Sequence, residues 1–289
     1  MNFKSLVTLI SAGVPLVLPA CGGGGATTTA VSSCGLPVPA ATFTLGDEVS
    51  GCVATADGTH ADVHAFTVPA VAAGGDAQFQ IVDVTAETVR ATLYGPDNSM
   101  IGAFTAADPG AALVFHLAAA GGLTYRLLID DGGGFTAPYS YRLISTFSPI
   151  ADTFEPNDTP DKAATITMGT PAAAFLFAGA ASMTAADAAW EDYYQVSVTG
   201  AQAATIRIDD VPTDLAVRLF LYRADQSEIA RISTGHKGES LVMQTPIALD
   251  PGQYLVRVAP WTDLPAAMSV GADPPDHFTR SYQLTVTQP

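Results

Sequence analysis

Val217-Arg218-Leu219-Phe220-Leu221-Tyr222-Arg223-Ala224-Asp225-Gln226-Ser227-Glu228-Ile229 has a counterpart earlier in the same chain. That counterpart is Val89-Arg90-Ala91-Thr92-Leu93-Tyr94-Gly95-Pro96-Asp97-Asn98-Ser99-Met100-Ile101. Val, Arg, Leu, Tyr, Asp, Ser and Ile recur at a constant offset of 128 residues. Working outward, Ala41-Thr42-Phe43-Thr44-Leu45-Gly46 parallels Ala164-Thr165-Ile166-Thr167-Met168-Gly169. Asp62-Val63-His64-Ala65-Phe66-Thr67-Val68 parallels Asp192-Tyr193-Tyr194-Gln195-Val196-Ser197-Val198, and Ser140-Tyr141-Arg142-Leu143 parallels Ser281-Tyr282-Gln283-Leu284. The order is the same in both halves, which is the sign of a duplicated structural unit. The chain therefore reads as two homologous domains, residues 35–147 and 150–289, divided near Ser148-Pro149-Ile150, where proline interrupts pairing.

The segments alternate at period two, so one face of each is dry and the other wet. Tyr254, Val256 and Val258 share the inward face while Arg257 points away. Tyr194, Val196 and Val198 form a second inward set, and Tyr282, Leu284 and Val286 a third. Turns such as Gly95-Pro96-Asp97-Asn98 and Asp250-Pro251-Gly252 separate the runs. Short strands of this kind predict an all-β chain of two tandem, jelly-roll-like antiparallel β-sandwiches. A short helical turn is allowed around residues 181–189.

The second half resembles the bacterial pre-peptidase C-terminal domain, a β-sandwich often appended to secreted peptidases. The residues that carry the likeness are Asp152-Thr153-Phe154-Glu155-Pro156-Asn157-Asp158-Thr159, Glu191-Asp192-Tyr193-Tyr194-Gln195-Val196, and Asp214-Leu215 leading into Leu219-Phe220-Leu221-Tyr222. Pro251-Gly252-Gln253-Tyr254-Leu255-Val256-Arg257-Val258 and the closing Ser281-Tyr282-Gln283-Leu284-Thr285-Val286 complete it. The first half lacks the Glu-Pro-Asn-Asp segment and shares the likeness only through the repeat. The resemblance implies a binding or accessory role without proteolysis. It also implies a structural calcium site. Glu155, Asn157 and Asp158, with Asp192 and Asp187, would supply the hard oxygens that calcium takes in numbers of six to eight. Ala189 and Trp190 stand where a further acid is expected.

The N-terminus predicts the compartment. Lys4 precedes an apolar run from Leu6 to Leu18 that is short for a membrane span, and Leu18-Pro19-Ala20-Cys21 resembles the bacterial lipobox. Residues 1–20 are expected to be a lipoprotein signal peptide, with Cys21 carrying the lipid. Residues 21–34, rich in Gly and Thr, would be a flexible tether. Gly22 after the cysteine favours the outer membrane over inner-membrane retention. Cys34 and Cys52 then remain as a pair for a disulfide in an oxidising envelope.

Composition excludes other classes. The net charge is −16 with 12 Lys and Arg, which argues against a nucleic-acid partner, whose phosphates need neutralising. His60 and His64 have zinc-pair spacing for a helix, but on a strand they lie about 13 Å apart. Gly238-Glu239-Ser240 near His236 is not a nucleophile elbow. Gly132-Gly133-Gly134 lacks the Lys-Ser/Thr of a phosphate loop, and the acid pairs Asp130-Asp131 and Asp209-Asp210 read as solvated turns. Trp190 and Trp261 lie in loops and are candidates for stacking on sugar rings or anchoring a partner. The function expected is non-enzymatic: a lipid-anchored envelope protein that binds a protein or polysaccharide ligand. The alternatives are an accessory subunit of a secreted hydrolase or peptidase, and a purely structural spacer.

Overall fold

The alternation becomes strands in the computed structural model, which describes residues 41–53, 61–71, 73–132, 138–177, 190–261 and 267–289. The leader, the tether, Cys21, Cys34, His60, Asp187 and the turn around residues 181–189 lie outside the described residues. The first domain contains β1 (Ala41–Thr44), β2 (Glu48–Val53), β3 (Asp62–Thr67), β4 (Gly75–Val82), β5 (Arg90–Tyr94), β6 (Met100–Thr105), β7 (Leu113–Ala119), β8 (Thr124–Asp130) and β9 (Tyr139–Pro149). The second contains β10 (Ala164–Thr165), β11 (Ala172–Ala174), β12 (Asp192–Val198), β13 (Thr205–Asp209), β14 (Val217–Arg223), β15 (Glu228–Ser233), β16 (Leu241–Gln244), β17 (Gly252–Pro260), β18 (Met268–Val270), the one-turn helix α1 (Asp276–Thr279) and β19 (Tyr282–Thr287).

Each domain is a pair of sheets, as the alternation predicts. One sheet runs β1-β3-β8-β5-β6 in the first domain and β10-β12-β17-β14-β15 in the second. The facing sheets contain β7-β4-β9-β2 and β16-β13-β19-β11. The order of the strands is the same in both pairs of sheets. Two pairings depart from the antiparallel expectation: β1 lies parallel to β3, and β10 parallel to β12. In each case the intervening strand belongs to the opposite sheet, and such a crossover permits parallel neighbours.

The three inward sets, Tyr194-Val196-Val198, Tyr254-Val256-Val258 and Tyr282-Leu284-Val286, all enter the second core. Phe66, Phe79, Phe115 and Tyr125 fill the first, with Phe66 stacked on Tyr125 at 5.5 Å and Phe79 on Phe115 at 5.1 Å. Removing aromatic surface from water at about 25 cal/mol per Å2 is what holds the two sheets of each domain together.

No local pattern in the sequence signals that a strand of the second domain joins a sheet of the first. Between β17 and β19 the second domain sends β18 across to the first, where it pairs antiparallel with β7: Met268 opposite Leu117, Ser269 opposite His116, Val270 opposite Phe115. Bonds from Ala118 N to Ala267 O at 2.8 Å and from Gly271 N to Val114 O at 2.9 Å extend the pairing. β7 occupies the position that β16 holds at the sheet edge of the second domain. Thus β18 covers an edge whose unpaired N–H and C=O groups would otherwise face water or another chain. Beneath it, His116 Nδ1 and the Asp76 carboxylate are 2.9 Å apart and buried, and His116 Nε2 lies 3.3 Å from the Ala272 carbonyl. Ala118 and Ile150 meet Phe177 and Phe278 in a small separate apolar cluster between the domains.

Candidate functional site

The loop ahead of β10 and the start of β12 collect acids in the second domain. Asp192 opens β12 and is almost completely buried. It accepts hydrogen bonds from the Tyr282 hydroxyl and, at 3.4 Å, from Tyr194, and those two hydroxyls are 2.6 Å apart. Burial, and then the nearby charges of Glu155, Asp152 and Asp158, push the Asp192 carboxyl well above its usual range, against the pull of the Tyr282 bond. Burial and the Asp158 charge push Glu155 up to about 7. Asp152 and Asp158 are also raised, mainly by burial. Lys162 offsets part of this at Asp158 and Glu155, so four carboxyls share the positive charge of one lysine. Two polar side chains among them are unsatisfied. The Asn157 amide, 1% exposed, lies beside Tyr194 without a hydrogen bond of ordinary geometry to either of its atoms, and the buried Thr159 hydroxyl also has none. Unbonded buried polar atoms are costly and call for a ligand or ion. Of the expected calcium ligands, Glu155 and Asp158, with Asp152, lie near enough to Asp192 for their charges to act on it, and Asn157 stands beside Tyr194. Among the described residues, no three acids, histidines or cysteines converge as a metal-holding group.

The first domain repeats the centre of this arrangement with one exchange. Asp62 stands for Asp192, His64 for Tyr194 and Tyr141 for Tyr282. The Tyr141 hydroxyl donates to Asp62 at 2.7 Å and lies 2.5 Å from His64 Nε2. Cys52 N donates to the same carboxylate at 3.3 Å. His64 therefore belongs to a buried internal network. His60 lies outside the described residues, as does the Cys34 end of the expected disulfide.

The other candidate is the outer face of the sheet built from β12, β17, β14 and β15. Register places Arg231, Phe220, Arg257 and Tyr193 side by side across the four strands. The Arg257 guanidinium lies 4.6 Å from the Phe220 ring centre and 5.8 Å from that of Tyr193, and it pairs with Glu191. One row along, Arg218 lies 4.2 Å from the Trp261 ring centre, and its Nη2 donates to the Trp261 carbonyl at 2.8 Å. The Trp261 backbone is pinned by its own N–H to Ala216 O at 2.8 Å. Trp261 remains 37% exposed and, with Arg218, Arg231, Ile232 and Ser233, lines a groove of about 360 Å3. A second groove, about 340 Å3, opens farther along the same face among Gln195, Gln226, Gln253 and Leu255.

The two tryptophans part here. Trp190 is 3% exposed and packs on the His277 ring at 5.8 Å, so its indole is not available to a ligand. Of the two acid pairs, Asp130-Asp131 differs from the solvated turn expected, while Asp209-Asp210 ends β13 with Asp210 exposed. Asp130 and Asp131 are buried, and Asp130 receives Nε and Nη2 of Arg90, each at 2.8 Å. That fork geometry offsets the cost of burying the charge. Asp209 pairs with Arg207. Arg218 and Arg231, the cations of the tryptophan groove, were not candidates from the sequence.

No protein-family model matches the chain, and no curated relative does. Among solved structures it is similar to the pre-peptidase C-terminal domain of collagenase from Bacillus anthracis, at 15% identity over 42% of this chain and 91% of that one, with a TM-score of 0.27. A putative secreted protein from Eubacterium rectale is 13% identical over 83% of this chain and 72% of that one, TM-score 0.24. A tandem of CBM22 domains from Paenibacillus barcinonensis is 11% identical over 84% and 92%, TM-score 0.23. At such values the overlap assigns neither family nor function.

Proposed function

We propose that this chain is a non-catalytic, lipid-anchored binding module of the bacterial cell envelope, held at the outer membrane through Cys21. Its ligand, a polysaccharide or protein of the envelope or its surroundings, docks on the outer face of the second domain. The observation that carries the reading is Trp261: an exposed indole fixed by a backbone hydrogen bond, backed by Arg218 and placed over a groove. A rigid aromatic of this kind gives contact area at little entropic cost, and such residues dominate binding energies. An accessory subunit of a hydrolase would use the same face, and a pure spacer would not need it. Trp261→Ala is expected to weaken retention of the mature chain on its envelope ligand roughly thirty-fold, about 2 kcal/mol. Equal retention of wild type and variant, measured by affinity electrophoresis, would remove the basis of the reading.

The anchor and the staple are read together by intact mass spectrometry of protein extracted from membranes. The expected mass is that of a chain starting at Cys21 with a diacylglyceryl group and fatty acyl chain, with no thiol free to alkylate because Cys34 and Cys52 are joined. A chain retaining residues 1–20 would exclude the lipoprotein assignment, and two alkylated thiols would exclude the bridge.

Calcium is a second element of the proposal, favoured by the unbonded amide of Asn157 within a set of charge-starved carboxyls. Glu155, Asn157, Asp158 and Asp192, with Asp187, would hold the ion. It would fix the loop ahead of β10 onto β12 and leave the outer face of that sheet rigid.

A further inference from the structure

The two domains are copies, so a residue that one has and the other lacks is informative. Arg90 in β5 and Arg218 in β14 occupy the same place. Each is the second residue of the repeated segment, and each has a hydroxyl residue opposite it on the next strand, Thr105 or Ser233. On the other side, β8 places Asp130 opposite Arg90, and β17 places Ala259 opposite Arg218. Asp130 accepts both arms of the Arg90 fork. In the second domain that carboxylate is gone. The two following positions change in the same sense: Asp131-Gly132 in the first domain, Pro260-Trp261 in the second. A corner that is acidic and closed in one copy is aromatic and grooved in the other, with Ala259 and Pro260 where the first has Asp130 and Asp131. No carboxylate pairs with Arg218 among the described residues, and its buried Nε makes no hydrogen bond.

We infer that a carboxylate of the ligand takes the place of the missing Asp130 side chain, and that the groove at Trp261 is a subsite for an acidic polysaccharide containing uronic acid units. This rests on the binding reading above and names its ligand class. The sugar ring lies on the exposed indole, which the Arg218 guanidinium backs from beside the strand. Its carboxylate meets Arg218 and Arg231, in the planar fork geometry that suits that group. Arg231 is exposed, and its contact with Glu228 at 3.6 Å is the kind of surface pair that yields readily to a better partner. The groove farther along β17, lined by the amides of Gln195, Gln226 and Gln253 and by Asp161, gives neighbouring sugars hydroxyl partners, about 20 Å from the first along the strand. The chain as a whole carries −16, so the two arginines at this corner select where an anionic ligand settles.

The test restores the missing group. Ala259→Asp is built to give Arg218 the partner that Arg90 has, so the variant should fold and melt at least as high as wild type. The probes are polygalacturonate and the same polymer with its carboxyls reduced to alcohols, applied to the mature full-length chain by affinity electrophoresis and calorimetry. Wild type is expected to bind polygalacturonate at least ten-fold more tightly than the reduced polymer. Ala259→Asp should lose that preference, and Arg231→Gln should reduce it several-fold. Equal binding of both polymers, abolished by Trp261→Ala and untouched by Ala259→Asp, would overturn the acidic-ligand inference and leave the binding module standing. Binding of neither polymer would also overturn it. In that case, retention on whole envelope that is lost with Trp261→Ala would keep the broader reading, and no retention would remove it.

Discussion

Phe278→Ala is expected to cost about 3–5 kcal/mol and to split one calorimetric transition into two. Phe278 lies in the one-turn helix α1 and is 2% exposed. It meets Phe177 edge-on, with ring centres 5.4 Å apart, and shares the interdomain cluster with Ala118 and Ile150. The cluster is small, so no neighbouring apolar mass is available to collapse into the space left by the ring. The same segment carries β18 to the edge of the first sheet, so loosening α1 frees one end of the strand that couples the domains. Below the splitting temperature, amide exchange should rise at β7 and β18 while the inner strands β4 and β9 stay protected. Val242→Ala, at a residue 45% exposed on the outside of β16, is the control and should shift stability by under about 0.5 kcal/mol. A single transition in Phe278→Ala, displaced by less than that control, would mean that the domains are not coupled through this contact.

Much of this fold was legible in the sequence because duplication and alternation are local signals. Tyr254-Leu255-Val256-Arg257-Val258 states which side faces in: Tyr254, Val256 and Val258 enter the core, Arg257 stays half-buried, and Leu255 is covered on the outer face. The path of β18 was not legible. Met268-Ser269-Val270 is too short to show a period, and its partner β7 lies in the other domain, more than a hundred residues away. Pairing at that range is set by which edge remains open, and no local pattern records it. Trp190 shows a related limit: a tryptophan between strands looks the same in the sequence whether its ring turns out to solvent or back onto His277. Arg218 is a different case. Its signal was present in the repeat, as the contrast of Asp130-Asp131-Gly132 with Ala259-Pro260-Trp261, but it takes meaning only when the register shows which of those residues faces the arginine. For the acidic set, the sequence supplied Glu155, Asn157, Asp158 and Asp192. The structure adds Asp152, whose carboxylate accepts from Phe154 N and Phe175 N and so stands inside the loop that holds the others.

Calcium at 10 mM and pH 8 should raise the melting temperature of the second domain by roughly 3–10 °C, and Asn157→Ala should abolish the response. Sites in extracellular modules bind calcium with dissociation constants of about 10⁻⁴–10⁻³ M. At 10 mM the ion then stabilises by about 1.4–2.7 kcal/mol, and a domain of this size shifts by about 2–4 °C per kcal/mol. The metal-free protein supplies the reason for choosing pH 8. Burial and the charge of Asp158 raise Glu155 to about 7 when folded, above its ordinary value of 4.5. The folded state thus holds its proton more tightly than the unfolded chain does. That contribution is fully present below pH 4.5 and is lost as pH rises through 7, so without metal the second domain should weaken between about pH 5 and 8. The raised carboxyls of Asp152, Asp158 and Asp192 act in the same direction. A cation binds the ionised acids, so calcium should stabilise most where the metal-free domain is weakest and little at pH 5, where it must displace protons. Asn157→Ala removes an amide that makes no hydrogen bond of ordinary geometry and touches only the Tyr194 hydroxyl. It should therefore leave the metal-free melting point within about 1 kcal/mol of wild type while cancelling the calcium shift. Scanning calorimetry with and without chelator at pH 5 and pH 8 separates the cases. If neither pH shows a calcium shift, the acids of this loop form an internal proton-holding network like that of Asp62, His64 and Tyr141 in the first domain, and the ion has no place in it.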